Sequence, residues 1–185
     1  MEELSVEYIN SLPVISFEGE IKVIVAPQEL TSLLDSLLSE KAVGIDTESK
    51  PSFKRGVQYP VSLLQLATAS NAYIVRLRKT GFPYKLKRFF ESEVQKIGLG
   101  LSDDLRKLKF LRDFTPNAFT DISEKAAKLG HSKVSLKALT AYYMGKRVVK
   151  SSKTTNWSNP SLTEKQLRYA ATDAWLPLML VDLIK

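Results

Sequence analysis

The sequence predicts an α/β fold, a mixed sheet covered by helices. Three observations carry this prediction. Short apolar runs with strand character come early and alternate with stretches of helical periodicity, the C-terminal end reads as helical throughout, and no linker divides the 185 residues. A single domain over 1–185 is expected, beginning with an acidic segment at 1–20.

Taken in order, KVIVA (22–26) reads as a short strand. From Pro27 to Glu40, Leu30, Leu33, Leu34, Leu37 and Leu38 recur at helical spacing. AVGID (42–46) reads as a buried strand ending in acid, and residues 49–60, with two prolines and a glycine, read as a loop. SLLQLAT (62–68) and AYIV (72–75) suit paired strands across a Ser-Asn turn. A basic-faced helix over 84–94 precedes another short strand, KIGLG (96–100). Ser102 or Asp103 can cap a helix running to about Arg112. AFTDI (118–122) reads as a brief strand or extended segment, with helices at 123–129 and 134–144. A basic connector (145–161) leads to Thr163, which opens the last helix with Glu164 to Gln166 in its first turn.

Composition excludes several chemistries. There is no cysteine, so disulfides, thiolate metal sites and cysteine nucleophiles are ruled out. The one histidine, His131, leaves no room for a multi-histidine metal centre. No apolar run approaches a membrane span and MEELSVEYIN does not resemble a secretory signal, so no membrane partner is expected. A cytoplasmic protein is expected, nucleoid-associated if bacterial and nuclear if eukaryotic. Net charge is +7, but residues 1–20 hold five glutamates and no Lys or Arg, so the rest carries 27 basic against 15 acidic side chains. That balance fits a polyanionic partner such as nucleic acid, or simply a solvated basic surface.

Three acidic motifs stand out. VGIDTES sets Asp46 and Glu48 two apart at a strand end, hence on one face. Two adjacent carboxylates repel unless a cation lies between them, and a hard ion such as Mg²⁺ suits oxygen ligands. KIGLGLSDDLRKLKFL runs a short strand through Gly100 into Asp103 and Asp104 at a helix start. One of these acids can cap the helix, Asp103 being the better placed, which leaves Asp104 free to face the sheet. In LRYAATDAW, Tyr169 and Asp173 lie four apart on one helix face whose small neighbours imply close packing. There Asp173 meets either a metal or only the Tyr169 hydroxyl.

These motifs resemble the three signature motifs of the DEDD 3′–5′ exonucleases, and within them the Werner-syndrome-type and ribonuclease D-like exonucleases. The resemblance runs from about residue 20 to the C-terminus. Its most specific part is NWSNPSLTEKQLRYAATDAW. It implies a ribonuclease H-like mixed five-stranded sheet flanked by helices. It also implies that Asp46, Glu48, Asp104 and Asp173 hold two divalent ions, Mg²⁺ or Mn²⁺. Tyr169 falls where the tyrosine branch of the family positions the attacking water. The implied reaction is phosphodiester hydrolysis at a 3′ end by a two-metal-ion mechanism, releasing nucleoside 5′-monophosphates. The implied partner is nucleic acid, as a single strand or recessed 3′ end, with DNA favoured over RNA because the motifs lean towards the Werner type. The alternative is a catalytically inactive nucleic-acid-binding module on the same fold.

Two departures accompany the match. A one-residue shift would exchange Asp104 for Asp103; Gly98, Gly100 and Lys107-Leu108 fall into register with Asp104. Ser49 follows the first acidic pair where relatives often carry a larger, aromatic residue. The chain ends soon after the third motif, so neither a helicase module nor a C-terminal helical nucleic-acid-binding domain is expected within it.

Basic stretches complete the reading. VRLRKTGFPYKLKR (75–88) carries six basic residues and no acid, and suits a solvated helix face or a phosphate contact. GKRVVKSSK (145–153) carries Lys146, Arg147, Lys150 and Lys153 and leads into the third motif. With Lys54 and Arg55 of the 49–60 loop, these four are the candidate nucleic-acid contacts. Phe53 and Tyr59 are candidate substrate contacts in the same loop. Trp157 can stack a base or, the better fit, support the last helix from beneath.

Overall fold

In the computed structural model, residues 4–52, 59–149 and 155–185 are described. The elements are α1 (Val6–Ser11), β1 (Val14–Ile15), β2 (Glu20–Ile24), α2 (Pro27–Leu37), β3 (Ala42–Ser49), β4 (Val61–Ala67), β5 (Asn71–Arg76), α3 (Leu77–Thr80), α4 (Tyr84–Phe90), β6 (Gln95–Gly98), α5 (Leu101–Leu111), β7 (Phe119–Asp121), α6 (Ile122–Lys128), α7 (Leu136–Met144), β8 (Arg147–Val148) and α8 (Glu164–Leu180).

The main sheet runs in the order β2-β5-β4-β3-β6-β7. β3–β4 and β4–β5 are antiparallel hairpin pairs, while β2–β5, β3–β6 and β6–β7 are parallel. The expected mixed sheet with flanking helices is present, with six strands rather than five. The additional strand is the brief extended segment around residues 119–121, which pairs with β6 at the edge. Three residues are too few to carry a clear period-2 pattern.

Helix signals operate as chemistry dictates. Pro27 occupies the first turn of α2, and Thr163 caps α8 reciprocally with Gln166. The cap of α5 differs from expectation. Neither Ser102 nor Asp103 caps it; Gly100 turns the chain in a left-handed conformation and Asp121 accepts from the amides of Gly100 (3.0 Å) and Leu101 (2.8 Å). Asp121 lies on β7, twenty residues away, so only the folded sheet brings it to that helix end.

The two faces of the sheet are packed differently. One face holds Val43, Ile45, Leu64, Leu66 and Val75 beneath α2 and α4, with Phe89, Phe90 and Phe114. The other face holds Leu63, Ala67, Ala72 and Ile74 beneath α8, which contributes Ala170, Ala171 and Ala174. Gly44 explains how closely α8 approaches: a Cβ there would lie 2.0 Å from the Ala174 carbonyl oxygen. The N-terminal segment is strapped over α8, with the Phe17 amide donating to Thr172 Oγ1 (2.9 Å) and Arg168 donating to the Phe17 carbonyl (2.7 Å). β1 and β8 form a separate two-stranded parallel sheet that ties this segment to the connector before α8. Two hydrogen-bonded residues per strand lack a sequence signature, which is why this small sheet is absent from the sequence-based expectation. No helix among the described residues is long and apolar enough to cross a membrane.

Candidate active site

β3 is an inner strand, so its alternation separates two kinds of side chain. Val43, Ile45 and Thr47 point one way and Gly44, Asp46 and Glu48 the other, towards α8. The close approach of α8 at Gly44 then brings Asp173 over the same face. Carboxylate oxygens of Asp46, Glu48 and Asp173 all lie within 4.8 Å of one another. After Glu48 the β3–β4 register shifts, so the acidic pair sits where regular pairing ends.

Asp104 arrives from a different direction. It lies in the first turn of α5, where the helix dipole favours an acid. Its carboxylate accepts a hydrogen bond from Thr47 Oγ1. Thr47 thus links Asp104 to the strand that carries the other acids. Asp103 instead projects from the surface and pairs with Arg106 and Lys107, the latter at 2.6 Å. The neighbouring acids therefore have separate environments, and the one facing the acidic cluster is Asp104.

Electrostatics follow from this crowding. Burial, then Asp173, Asp104 and Glu48, hold the Asp46 carboxyl well above the ordinary carboxylate range. Burial pushes Glu48 up to about 8, with Asp173 and Asp104 adding to the shift and Lys107 opposing it. Asp173 is pushed up to about 7 by burial, against a hydrogen bond from Tyr169. Burial also raises Asp104, although Thr47 and Lys107 oppose the shift. Tyr169 is raised above the ordinary phenol range by burial, Asp173 and the hydrogen bond it gives Asp173. Its hydroxyl is therefore a hydrogen-bond donor at neutral pH and not a base.

Such a cluster fits a hard divalent cation. The donors are carboxylate oxygens, close together, and their mutual repulsion is relieved by positive charge. The polar groups around it were not all evident beforehand. Thr47 lies between the two recognised acids of β3 yet serves Asp104. Gln65 is paired across the ladder with Asp46 and is fully buried with neither amide atom bonded. A polar residue inside an apolar strand, SLLQLA, was the available signal for Gln65.

The remaining predicted residues are distributed as follows. Trp157 is buried and stacks on Tyr169 with ring centroids 6.1 Å apart, so it supports α8 and has no free face for a base. Arg147 lies in β8 and its Nε donates to the Leu12 carbonyl (2.9 Å), while Lys146 precedes it, half-buried. Tyr59 is exposed beside Lys50, whose ammonium lies 5.0 Å from the ring centroid. Phe53, Lys54, Arg55, Lys150 and Lys153 lie outside the described residues. His131 contacts Tyr143 (2.7 Å), and neither belongs to the acidic cluster.

Comparison with known proteins converges on one family. The family model described as 3′-5′ exonuclease matches residues 21–185. The mouse bifunctional 3′-5′ exonuclease/ATP-dependent helicase WRN is 32% identical over 185 residues, covering 92% of this chain and 13% of that protein. A 3′-5′ exonuclease of Arabidopsis thaliana is 30% identical over 167 residues, covering 85% of this chain and 58% of that protein. A ribonuclease D of Cronobacter turicensis is 28% identical over 149 residues, covering 79% and 40% respectively. The chain thus spans only part of the length of these relatives. Among solved structures, the Aedes aegypti Nibbler EXO domain superposes with a TM-score of 0.83 at 22% identity, covering 92% of this chain and 91% of that one. Escherichia coli RNase D gives a TM-score of 0.80 at 23% identity, covering 89% and 44%. These similarities extend from β2 through α8 and include every strand and helix that bears an acid of the cluster, so the chain belongs to the 3′–5′ exonuclease family.

Proposed function

We propose that this chain is an active metal-dependent exonuclease that shortens nucleic acid from its 3′ end and releases nucleoside 5′-monophosphates. The observation that carries the proposal is the meeting of Asp46, Glu48 and Asp173 within 4.8 Å, from a strand end and a helix face far apart in sequence. Asp46, Glu48, Asp104 and Asp173 are the residues that would hold two Mg²⁺ or Mn²⁺ ions. Bound there, such ions supply the positive charge that makes water a nucleophile at neutral pH and stabilises a departing 3′ oxygen.

The chain's own groups divide the remaining tasks. Glu48 and Asp46 place negative charge at the sheet end, and Asp173 closes the cluster from above. Tyr169 holds its proton and can orient a water by hydrogen bonding. Thr47 restrains Asp104 so that the α5 acid stays directed at β3. The substrate is a single strand or a recessed 3′ end, and DNA is preferred over RNA. The DNA preference is supported by the larger share of this chain that matches the helicase-linked relative, 92%, than matches two ribonucleases D, 79% and 84%. Activity is assigned to the cytoplasm, or to the compartment that holds the nucleic acid.

The test uses matched DNA and RNA oligonucleotides, each labelled at the 5′ end, with Mg²⁺ or Mn²⁺. A ladder of progressively shorter labelled products, appearing faster on DNA, is the expected result. An unshortened substrate with both metals would leave only the inactive nucleic-acid-binding reading, and faster decay of RNA would reverse the preference.

A further inference from the structure

The basic stretch at 75–88 is not used by the acidic cluster, yet part of it lies beside that cluster. The ladder places Glu48 opposite Leu63 and Leu63 opposite Arg76. Glu48, Leu63 and Arg76 therefore form one row across three adjacent strands, spanning about 10 Å at two strand spacings. Leu63 and Ile74 belong to the face beneath α8, so Arg76, two residues beyond Ile74, is on that face as well.

Arg76 is buried, and its guanidinium donates to the carbonyls of Asn159 and Pro160 (3.4 Å for the latter). It pins the loop that holds Trp157, which in turn stacks on Tyr169. The Ser62 and Ser158 hydroxyls meet across the same junction at 2.8 Å. Between this loop and α3 lies a cleft of about 200 Å³ whose lining among the described residues is Ser62, Arg76, Arg78, Lys79, Trp157, Ser158 and Pro160, none of them acidic. Arg78 and Lys79 are exposed, and Arg78 adds to the burial that depresses the Arg76 guanidinium. Three cations converge there with hydroxyls for company and no counter-ion in the lining.

We infer that this cleft binds a phosphodiester group of the substrate strand, upstream of the bond to be cut. Arg78 and Lys79 supply exposed positive charge, and the Ser62–Ser158 pair, bonded to each other, has one hydroxyl hydrogen left to donate. Arg76 is a positioning residue that holds the loop in place. The inference rests on the exonuclease reading for the identity of the strand, but binding alone can test it. The cleft also separates the two basic ends of the chain's surface by role. Lys41, just ahead of β3, and Arg88, on the helix that precedes β6, lie at the opposite end of the strands from Glu48.

The experiment measures binding of a fluorescent single-stranded oligonucleotide in EDTA, by anisotropy, over a range of salt concentrations. Arg78→Gln/Lys79→Gln is compared with the wild type and with the charge-matched Arg88→Gln/Lys41→Gln. The first variant is expected to weaken binding about tenfold and to flatten the slope of log K against log salt by about 1.4, the value for two lost single-strand phosphate contacts. The charge-matched variant is expected to retain the wild-type slope. Equal affinity and slope for both double variants would overturn the inference, as would failure of the wild type to bind. Lys79→Gln alone, expected to show about half the slope change, decides the matter if the double variant does not fold. Cleavage of the same oligonucleotide by the wild type with Mn²⁺ is scored separately. A wild type that binds but does not cleave refutes the exonuclease reading while the slope still decides the cleft.

Discussion

The two faces of the central sheet solve different problems with different side chains. Beneath α2 and α4 the residues are large, with Leu30, Leu34, Leu64, Leu66, Phe89 and Phe90 all fully buried. Beneath α8, Leu63 and Ile74 alternate with small residues: Gly44, Ala67 and Ala72 on the strands, and Ala170, Ala171 and Ala174 on the helix. Bulk on the first face removes apolar area from water and provides much of the stability. Small residues on the second face allow the helix backbone close to β3, which lets Asp173 reach the level of Asp46 and Glu48. The acidic cluster requires close approach of backbones where the core requires volume.

Breaking each face should therefore give different losses. Asp46→Asn or Asp173→Asn should reduce cleavage more than about a hundredfold, since the proposed function makes them metal ligands and even outer supports of such ligands matter by 10–100-fold. Thermal melting of these variants in EDTA should be at or above the wild-type value, because a repelling charge has gone. A melting point several degrees lower would mean that the carboxylates are structural. On the bulky face, Phe89→Ala should cost about 3–5 kcal/mol of stability in denaturant titration. At a temperature where the variant is folded, kcat should stay near that of the wild type. A large fall in kcat would show that the two faces are not separable.

Gly44→Ala separates close approach from chemistry, because position 44 faces α8 and carries no functional group. Its Cβ would meet the Ala174 carbonyl at 2.0 Å, so the helix must move away. A destabilisation of about 1–3 kcal/mol is expected, together with a lower kcat as Asp173 is lifted from Asp46. Unchanged kcat would show that the spacing is not critical.

The same crowding sets a pH dependence. Glu48 and Asp173 are raised to about 8 and about 7 in the folded chain. Unfolded carboxyls release their protons near pH 4, so between about pH 4 and 8 the folded state binds more protons than the unfolded one. Stability of the metal-free protein from these groups should then fall as pH rises through that window, and be unaffected below it. Added Mg²⁺ should raise the melting temperature more at pH 8 than at pH 6, because ligands must lose protons to bind. An equal increase at both values would contradict the assigned cluster. The smallest effect is expected at Asp103→Ala, which removes only exposed pairs with Arg106 and Lys107 and should change stability by less than about 1 kcal/mol. Activity should persist in Asp103→Ala and fall in Asp104→Ala; the reverse pattern would exchange the two acids.

Long, strongly periodic elements were legible beforehand. The α2 leucines, the buried run of β4 and the Thr163–Gln166 start of α8 each announce themselves through spacing or capping chemistry. Short or partner-dependent elements were not. β1 and β8 have two residues each, and the cap of α5 comes from Asp121 on another strand. The acids of the site were legible as residue types at suggestive spacing, and their family resemblance placed them together.

By itself the sequence determined the α/β class, the presence of Asp46 and Glu48 on one strand face, and Tyr169 and Asp173 on one helix face, because those relations follow from periods of 2 and 3.6 residues. The tertiary structure alone decided which side of β3 meets α8, how near Asp173 comes, and that Thr47 is the partner of the inward-turned Asp104. It also decided that Arg76 shares a row with Glu48. Contacts between residues far apart in the chain depend on sheet register and packing distance, and neither is written in local periodicity.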